Sequence, residues 1–146
     1  MMDTDMRTVL YVCVHNAGRS QMAEALTNHL ANRRGVNVRA LSAGTIAGSK
    51  VHPVAVEVMR EIGVSMEGHS PKQLTQEMAD SADRVITMGC GVDAAACPAR
   101  FLISEDWGLD DPAGQPIETV RRIRDQIRER VEALLDQLIQ EETIER

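Results

Sequence analysis

The sequence predicts an α/β protein built on one parallel sheet with helices on both faces. Short β-branched apolar runs alternate with stretches whose apolar residues recur at helical spacing, the pattern of βαβ units. The run Val9-Leu10-Tyr11-Val12 is apolar at every position, as a strand buried on both faces must be. The chain has 146 residues and no repeat, low-complexity tract or linker, so residues 1–146 are read as one domain.

The elements follow in order. Residues 9–12 form the first strand. From Ser20, the residues Met22, Ala23, Leu26 and Leu30 repeat on one helical face, and the pattern ends near Arg33-Arg34-Gly35. Residues 36–43 read as a second strand. Pro53 suits the first turn of a helix, with Val56, Met59 and Ile62 inward and Gly63 as its stop. Residues 74–82 form a short helix, 84–88 a third strand and 102–107 a weaker fourth. The last helix, residues 117–140, carries the stripe Val120, Ile123, Ile127, Val131, Leu134 and Leu138.

Composition narrows the function. Hydrophobic residues make up 43% of the chain, enough for a core that needs no disulfide framework or structural metal. Only Tyr11, Phe101 and Trp107 are aromatic, so that core is aliphatic, with eight methionines as gap-fillers. The net charge of −6 argues against a nucleic-acid or anionic-membrane surface. Arg121, Arg122, Arg124, Arg128 and Arg130 are interleaved with Glu118, Asp125, Glu129 and Glu132, the pattern of a solvated helix face. No apolar run has the length of a membrane span, and the acidic N-terminus is unlike a signal peptide. A cytoplasmic protein is expected. Three cysteines are too few and too odd in number for a disulfide framework.

In parallel α/β sheets ligands bind beyond the carboxyl ends of the strands. There, directly after the first strand, stands Cys13-Val14-His15-Asn16-Ala17-Gly18-Arg19-Ser20. Successive backbone N–H groups running into a helix N-terminus make an anion cradle from Val14, His15, Asn16, Ala17, Gly18 and Arg19. Ala17 and Gly18 let the backbone curl closely. Arg19 offers a planar fork to two oxyanion oxygens. Cys13 sits in this positive field, which favours the nucleophilic thiolate. The Ser20 hydroxyl can hydrogen-bond that thiolate, and Asn16 can brace the loop through its amide. The plainer reading, a buried small residue at a strand end and a surface arginine, leaves the strand–loop–helix context unused.

These residues, with 41–45 (LSAGT), 85–91 (VITMGCG) and 105–114 (EDWGLDDPAG), resemble the low-molecular-weight protein tyrosine phosphatases and, more closely, the arsenate reductases that share their fold. The resemblance runs through most of the chain. It implies a four-stranded parallel sheet of order 2-1-3-4 flanked by helices. It also implies attack by Cys13 on an oxyanion, with a carboxylic acid protonating the oxygen that leaves. Asp111-Pro112 is similar to the family's acid loop. Asp110 is adjacent, and Asp111 is preferred because it directly precedes proline. On its own the pair would read as a turn.

Chemistry separates phosphatase from reductase. Water resolves a phospho-cysteine, whereas reducing As(V) to As(III) takes two electrons and hence a second thiol. Cys90 and Cys97, set among glycines and alanines, are the candidates. By resemblance, Cys90 attacks arsenylated Cys13 and Cys97 then attacks Cys90, leaving a disulfide for thioredoxin. In the similar actinobacterial-type branch, mycothiol with a mycoredoxin fills that role. Thiols without a role, or a metal pair, are the plainer readings; His15, His29, His52 and His69 show no ligand pattern with them. A site with few aromatics, and Ala113-Gly114 in place of tyrosines, suits inorganic arsenate better than phosphotyrosine. No bound cofactor is expected. A phosphatase, or a non-catalytic anion-binding module, remains the other reading. Some relatives bind potassium beside the loop. Asn16, Glu24, Ser42 and Ser70 match that site, while Lys72 stands where an acidic ligand is expected; its ammonium should replace the ion and pair with Glu24.

Overall fold

The computed structural model describes residues 6–88 and 103–145, with side chains to residue 141. β1 (Arg7–Cys13) lies at the centre of the sheet. It pairs in parallel with β2 (Val38–Gly44) on one side and with β3 (Arg84–Thr87) on the other. The short β4 (Glu105–Asp106) extends β3, again in parallel, so the order is β2-β1-β3-β4. The helices are α1 (Arg19–Arg34), α2 (Pro53–Glu61), α3 (Gln76–Ser81) and α4 (Ile117–Glu145).

Alternation along β1 divides the core between two faces. Val9, Tyr11 and Cys13 join a large cluster with Met22, Leu26 and Leu30 of α1, Val58 and Met59 of α2, and the apolar stripe of α4. Leu10 and Val12 point the other way, against Leu74, Ala79 and Val85. The helices flank both faces unequally, since α3 covers the second face with a single buried residue, Ala79. Tyr11 and Trp107 stack within the larger cluster at 5.4 Å between centroids. The Tyr11 hydroxyl meets Thr27 Oγ1 at 2.7 Å, and burial pushes this phenol far above its ordinary range.

Several boundaries differ from the sequence reading. Val36 closes α1 instead of opening β2. Gly35 takes a left-handed φ of 67°, and Val36 N–H bonds back to Ala31 O at 2.9 Å. Leu74 is not helical: Leu74 N–H bonds to Gly44 O and Gly44 N–H to Lys72 O, both at 2.8 Å. Thr75 then caps α3 by accepting from Met78 N–H at 3.1 Å. Within the described residues β4 is shorter than expected, because among them only Glu105 and Asp106 find register partners on β3. α4 runs on to Glu145, and Glu141 near its end pairs with Arg84 at 2.5 Å and Arg7 at 3.0 Å. The arginine face of α4 is also not wholly solvated. Arg124 is buried, donating to Val58 O and Glu61, and Arg121 grips the same Glu61. No described helix is long and apolar enough to cross a membrane.

Candidate active site

Cys13 ends β1, and residues 14–18 curl back to the first turn of α1. The carbonyls of this loop are held from outside. Cys13 O accepts from Thr45 N–H at 3.0 Å, Val14 O from Ile46 N–H at 2.8 Å, and His15 O from Gly48 N–H at 2.9 Å. Ala17 O accepts from His52 N–H at 2.8 Å, Asn16 O from the Gln21 amide at 3.1 Å, and Gly18 O from Met22 N–H at 2.9 Å. In a trans peptide the next N–H points opposite to the carbonyl. Drawing six carbonyls outward therefore turns the following N–H groups toward the enclosed space, which makes an anion cradle. The start of α1 adds to it: Gly18 gives no side-chain cap, and no acidic residue occupies the first turn to neutralise the helix's positive end.

The loop holds one strained residue. Asn16 has φ of 56°, a left-handed conformation few non-glycine residues adopt. Its fully buried side chain secures it. Asn16 Oδ1 accepts from Lys72 N–H at 2.9 Å, and Asn16 Nδ2 donates to Ser20 Oγ at 2.8 Å.

Arg19 crosses beneath the cradle and is only 5% exposed. Nη1 donates to Met88 O at 2.9 Å and Leu109 O at 2.5 Å, tying the end of β3 to the loop after β4. Nη2 lies 3.9 Å from Cys13 Sγ and 3.9 Å from Asp111 Oδ2. Arg19 Nε is buried with no partner among the described residues, a donor of the kind an oxyanion satisfies. Asp111 is exposed at the rim, with Oδ1 accepting from Ala113 N–H at 3.0 Å. Gly18 is where this rim closes. A Cβ there would stand 2.9 Å from Pro112 Cγ and 3.1 Å from His52 Cδ2.

The cavity above the loop has a volume of about 790 Å³. Its floor is the loop itself. Lys50 and His52 lie in one wall, Asp110 and Asp111 in the other, and no described lining residue is aromatic. Trp107 is 1% exposed inside the core, donating to Glu105 at 2.9 Å.

Of the residues singled out in the sequence, the structure brings Cys13, Val14, His15, Ala17, Gly18, Arg19 and Asp111 to the lining of this cavity, while Asn16 and Ser20 are fully buried. Cys90 and Cys97 lie outside the described residues. Of the residues matched to a cation site, Lys72 Nζ lies 3.4 Å from Glu24 Oε1 and 3.4 Å from Ser70 O, and Ser42 donates to the same Glu24 oxygen. A monovalent cation does not fit among these donors beside an ammonium already on them. The sequence reading gave no such role to the residues that hold the carbonyls, namely Thr45, Ile46, Gly48, His52 and Gln21. Gln73 steadies the first of these, accepting from Ala47 N–H at 3.0 Å and donating to Thr45 O at 2.7 Å.

Comparison with known proteins agrees with this architecture. The model of the low molecular weight phosphotyrosine protein phosphatase family matches residues 8–144. A putative arsenate reductase of Halobacterium salinarum is 42% identical over 132 residues, 87% of this chain and 89% of that protein. A glutaredoxin arsenate reductase of Synechocystis is 38% identical, covering 89% of this chain and 97% of its own length. The solved thioredoxin-dependent arsenate reductase of Corynebacterium glutamicum superimposes with a TM-score of 0.76 at 35% identity, over 96% of this chain and 65% of that one. With the match spanning nearly the whole chain, this protein belongs to the low molecular weight phosphotyrosine protein phosphatase family.

Proposed function

We propose that the chain reduces arsenate to arsenite and so serves arsenic detoxification. Cys13 is the nucleophile, and Cys90 and Cys97 are the resolving pair. The observation that carries the oxyanion chemistry is the buried Arg19 guanidinium, 3.9 Å from Cys13 Sγ, whose Nε donor has no partner among the described residues. The relatives named arsenate reductase favour arsenic as the central atom, and two of those names include a redoxin.

The steps balance as follows. The Cys13 thiolate attacks arsenic while Arg19 and the loop N–H groups hold the oxygens, and one oxygen leaves as water on a proton from Asp111. The Cys90 thiolate then attacks Cys13 Sγ. The sulfur–arsenic bond breaks with its electron pair on arsenic, so As(V) becomes As(III) and leaves as arsenite. Cys97 attacks Cys90, releasing the Cys13 thiolate. The Cys90–Cys97 disulfide is recharged by the dithiol of thioredoxin or an equivalent redoxin; mycothiol with mycoredoxin is the other supply. A reducing cytoplasm is the compartment that sustains such a relay. No bound cofactor takes part, and the Lys72 ammonium does the work of the cation found in some relatives.

The test is arsenate turnover with thioredoxin, thioredoxin reductase and NADPH, for wild type, Cys90→Ser and Cys97→Ser. Both substitutions should abolish turnover; full turnover in both defeats the relay. Activity that returns only with mycothiol and its redoxin replaces the partner and keeps the reaction. One observation favours a phosphatase as second reading: the cavity far exceeds a tetrahedral inorganic anion in size. Phosphoester turnover that survives loss of Cys90 and Cys97, with no arsenate reduction in wild type, would establish it.

A further inference from the structure

The cavity above the loop is far larger than the single oxyanion its floor can hold, and its two walls differ in charge. Asp110 and Asp111 stand on one side, Lys50 and His52 on the other. Residues 41–56 contain no Asp or Glu, so no neighbour in sequence neutralises Lys50. Among the described residues, no side-chain hydrogen bond or ion pair engages exposed Lys50 or half-buried His52. The segment that carries them is firmly seated. Gly48 N–H bonds to His15 O at 2.9 Å and His52 N–H to Ala17 O at 2.8 Å, which ties both ends to the loop. Between the two side chains, Val51 is 9% exposed and packs into the larger core cluster. Side chains alternate along extended backbone, the conformation His52 adopts at φ −61° and ψ 126°. Burying Val51 therefore turns Lys50 and His52 to the other side, where both line the cavity.

We propose that Lys50 and His52 form a second anion subsite, so that the cavity takes ligands with two anionic groups: a tetrahedral oxyanion in the cradle, and a carboxylate or second phosphoryl group on this wall. The Lys50 ammonium supplies the charge. His52 supplies a directed donor, because a neutral imidazole carries one N–H and neither ring nitrogen is committed elsewhere. His15 lines the same cavity but is no third donor. Its Nδ1 lies 3.1 Å from Ile46 O, a carbonyl that only accepts, so the neutral ring presents Nε2 as an acceptor. Joining both anionic groups in one molecule makes the second contact intramolecular, which strengthens binding with no change in the cradle. Such a ligand occupies the cradle and keeps arsenate from Cys13. Doubly anionic small molecules are thus the chemical class that competes with arsenate.

The subsite rests on the cradle being the place where an oxyanion binds, so its test reads occupancy and not arsenate turnover. Protection of Cys13 from iodoacetamide is titrated in the full-length chain and followed by peptide mass spectrometry. Ethylphosphonate and phosphonoacetate form a matched pair, differing by a methyl group against a carboxylate. Inorganic phosphate and pyrophosphate form the pair for a second phosphoryl group. Phosphonoacetate should protect at about five-fold lower concentration than ethylphosphonate, the upper range for an exposed ion pair, and pyrophosphate should gain at least as much over phosphate. Lys50→Gln should bring both ratios close to one, and Lys50→Arg should keep them. His52→Phe leaves a ring against Gly18 but removes its nitrogens, and should lower both ratios about two-fold. Arg39→Gln makes the same change in net charge five residues before Gly44 on β2, roughly 16 Å along the strand. That exceeds the screening length of about 10 Å at 0.1 M salt, so both ratios should stay at the wild-type value. Ratios near one for both pairs in wild type overturn the subsite. So do ratios that survive Lys50→Gln, or that fall as far in Arg39→Gln. Inorganic phosphate that gives no protection at any concentration would instead defeat the cradle assignment itself.

Discussion

A methyl group on Gly44 would strike the nucleophile loop from behind. In Gly44→Ala the new Cβ would stand 2.5 Å from Val14 O, 3.0 Å from the His15 carbonyl carbon and 3.1 Å from Asn16 Cβ. A carbon rests against a carbonyl oxygen at about 3.3 Å or more, so something must move by roughly 0.8 Å. Gly44 itself cannot retreat, because its N–H is bonded to Lys72 O and its carbonyl to Leu74 N–H, both at 2.8 Å. The loop must yield, against the Ile46 N–H bond that holds Val14 O at 2.8 Å. Overpacking of this kind costs about 1–3 kcal/mol. A reacting group displaced by nearly 1 Å loses about 100-fold in rate. Arsenate kcat/KM with the thioredoxin system reads the catalytic loss. Protection of Cys13 from alkylation by inorganic phosphate reads the anion affinity alone, and thermal unfolding reads the stability. The expected result is a fold that survives with lowered Tm, phosphate protection weakened at least ten-fold and turnover down about 100-fold. A Gly44→Ala protein that protects Cys13 and turns over within two-fold of wild type would refute the reasoning, because the loop would then not depend on its outward clamp.

Other expectations follow from the same geometry. Asp111→Asn keeps the bond from Ala113 N–H but cannot supply a proton, so kcat should fall about 100-fold or more with phosphate protection of Cys13 nearly unchanged. Potassium should give the same steady-state rate as sodium, because the Lys72 ammonium already lies on Glu24 and Ser70; a marked gain with potassium would remove Lys72 from that role. The hydrogen bond from Arg84 outweighs the opposing effect of burial and, with a lesser contribution from the Arg7 hydrogen bond, holds Glu141 below the ordinary glutamate range. A depressed carboxylate contributes its stability above the unfolded value and loses it as pH falls through the folded one. Glu141→Gln should therefore have a lower Tm than wild type at pH 7, and the two should converge in acid. A gap that stays constant from pH 7 to pH 3 would show that the ion pair is not its source.

The cradle was legible in the sequence because it is local. Cys13 to Ser20 are consecutive, and the chemistry needs a strand before them and a helix after, both written in the adjacent apolar pattern. The same locality exposed the long stripe of α4 and the buried run of β1, whose periods are short. Asp111 needed the resemblance, since an Asp-Pro pair alone is only a turn; the fold supplies the physical reason by carrying it to 3.9 Å from Arg19, 92 residues earlier in the chain. The sequence by itself therefore determined the class of fold, and it marked out the loop and the arginine to which the proposed chemistry is assigned. What only the tertiary structure decided is how that loop is held. Thr45, Ile46, Gly48 and His52 act through backbone N–H groups, and Gln21 through its amide, with no signature of their own. Thr45, Ile46, Gly48 and His52 reach the loop because parallel pairing lays Gly44 beside Cys13 and so brings the chain after β2 alongside the chain after β1. Backbone polar groups must be satisfied wherever they are buried, and which segment satisfies them is a property of the packed sheet, invisible until its strands are side by side.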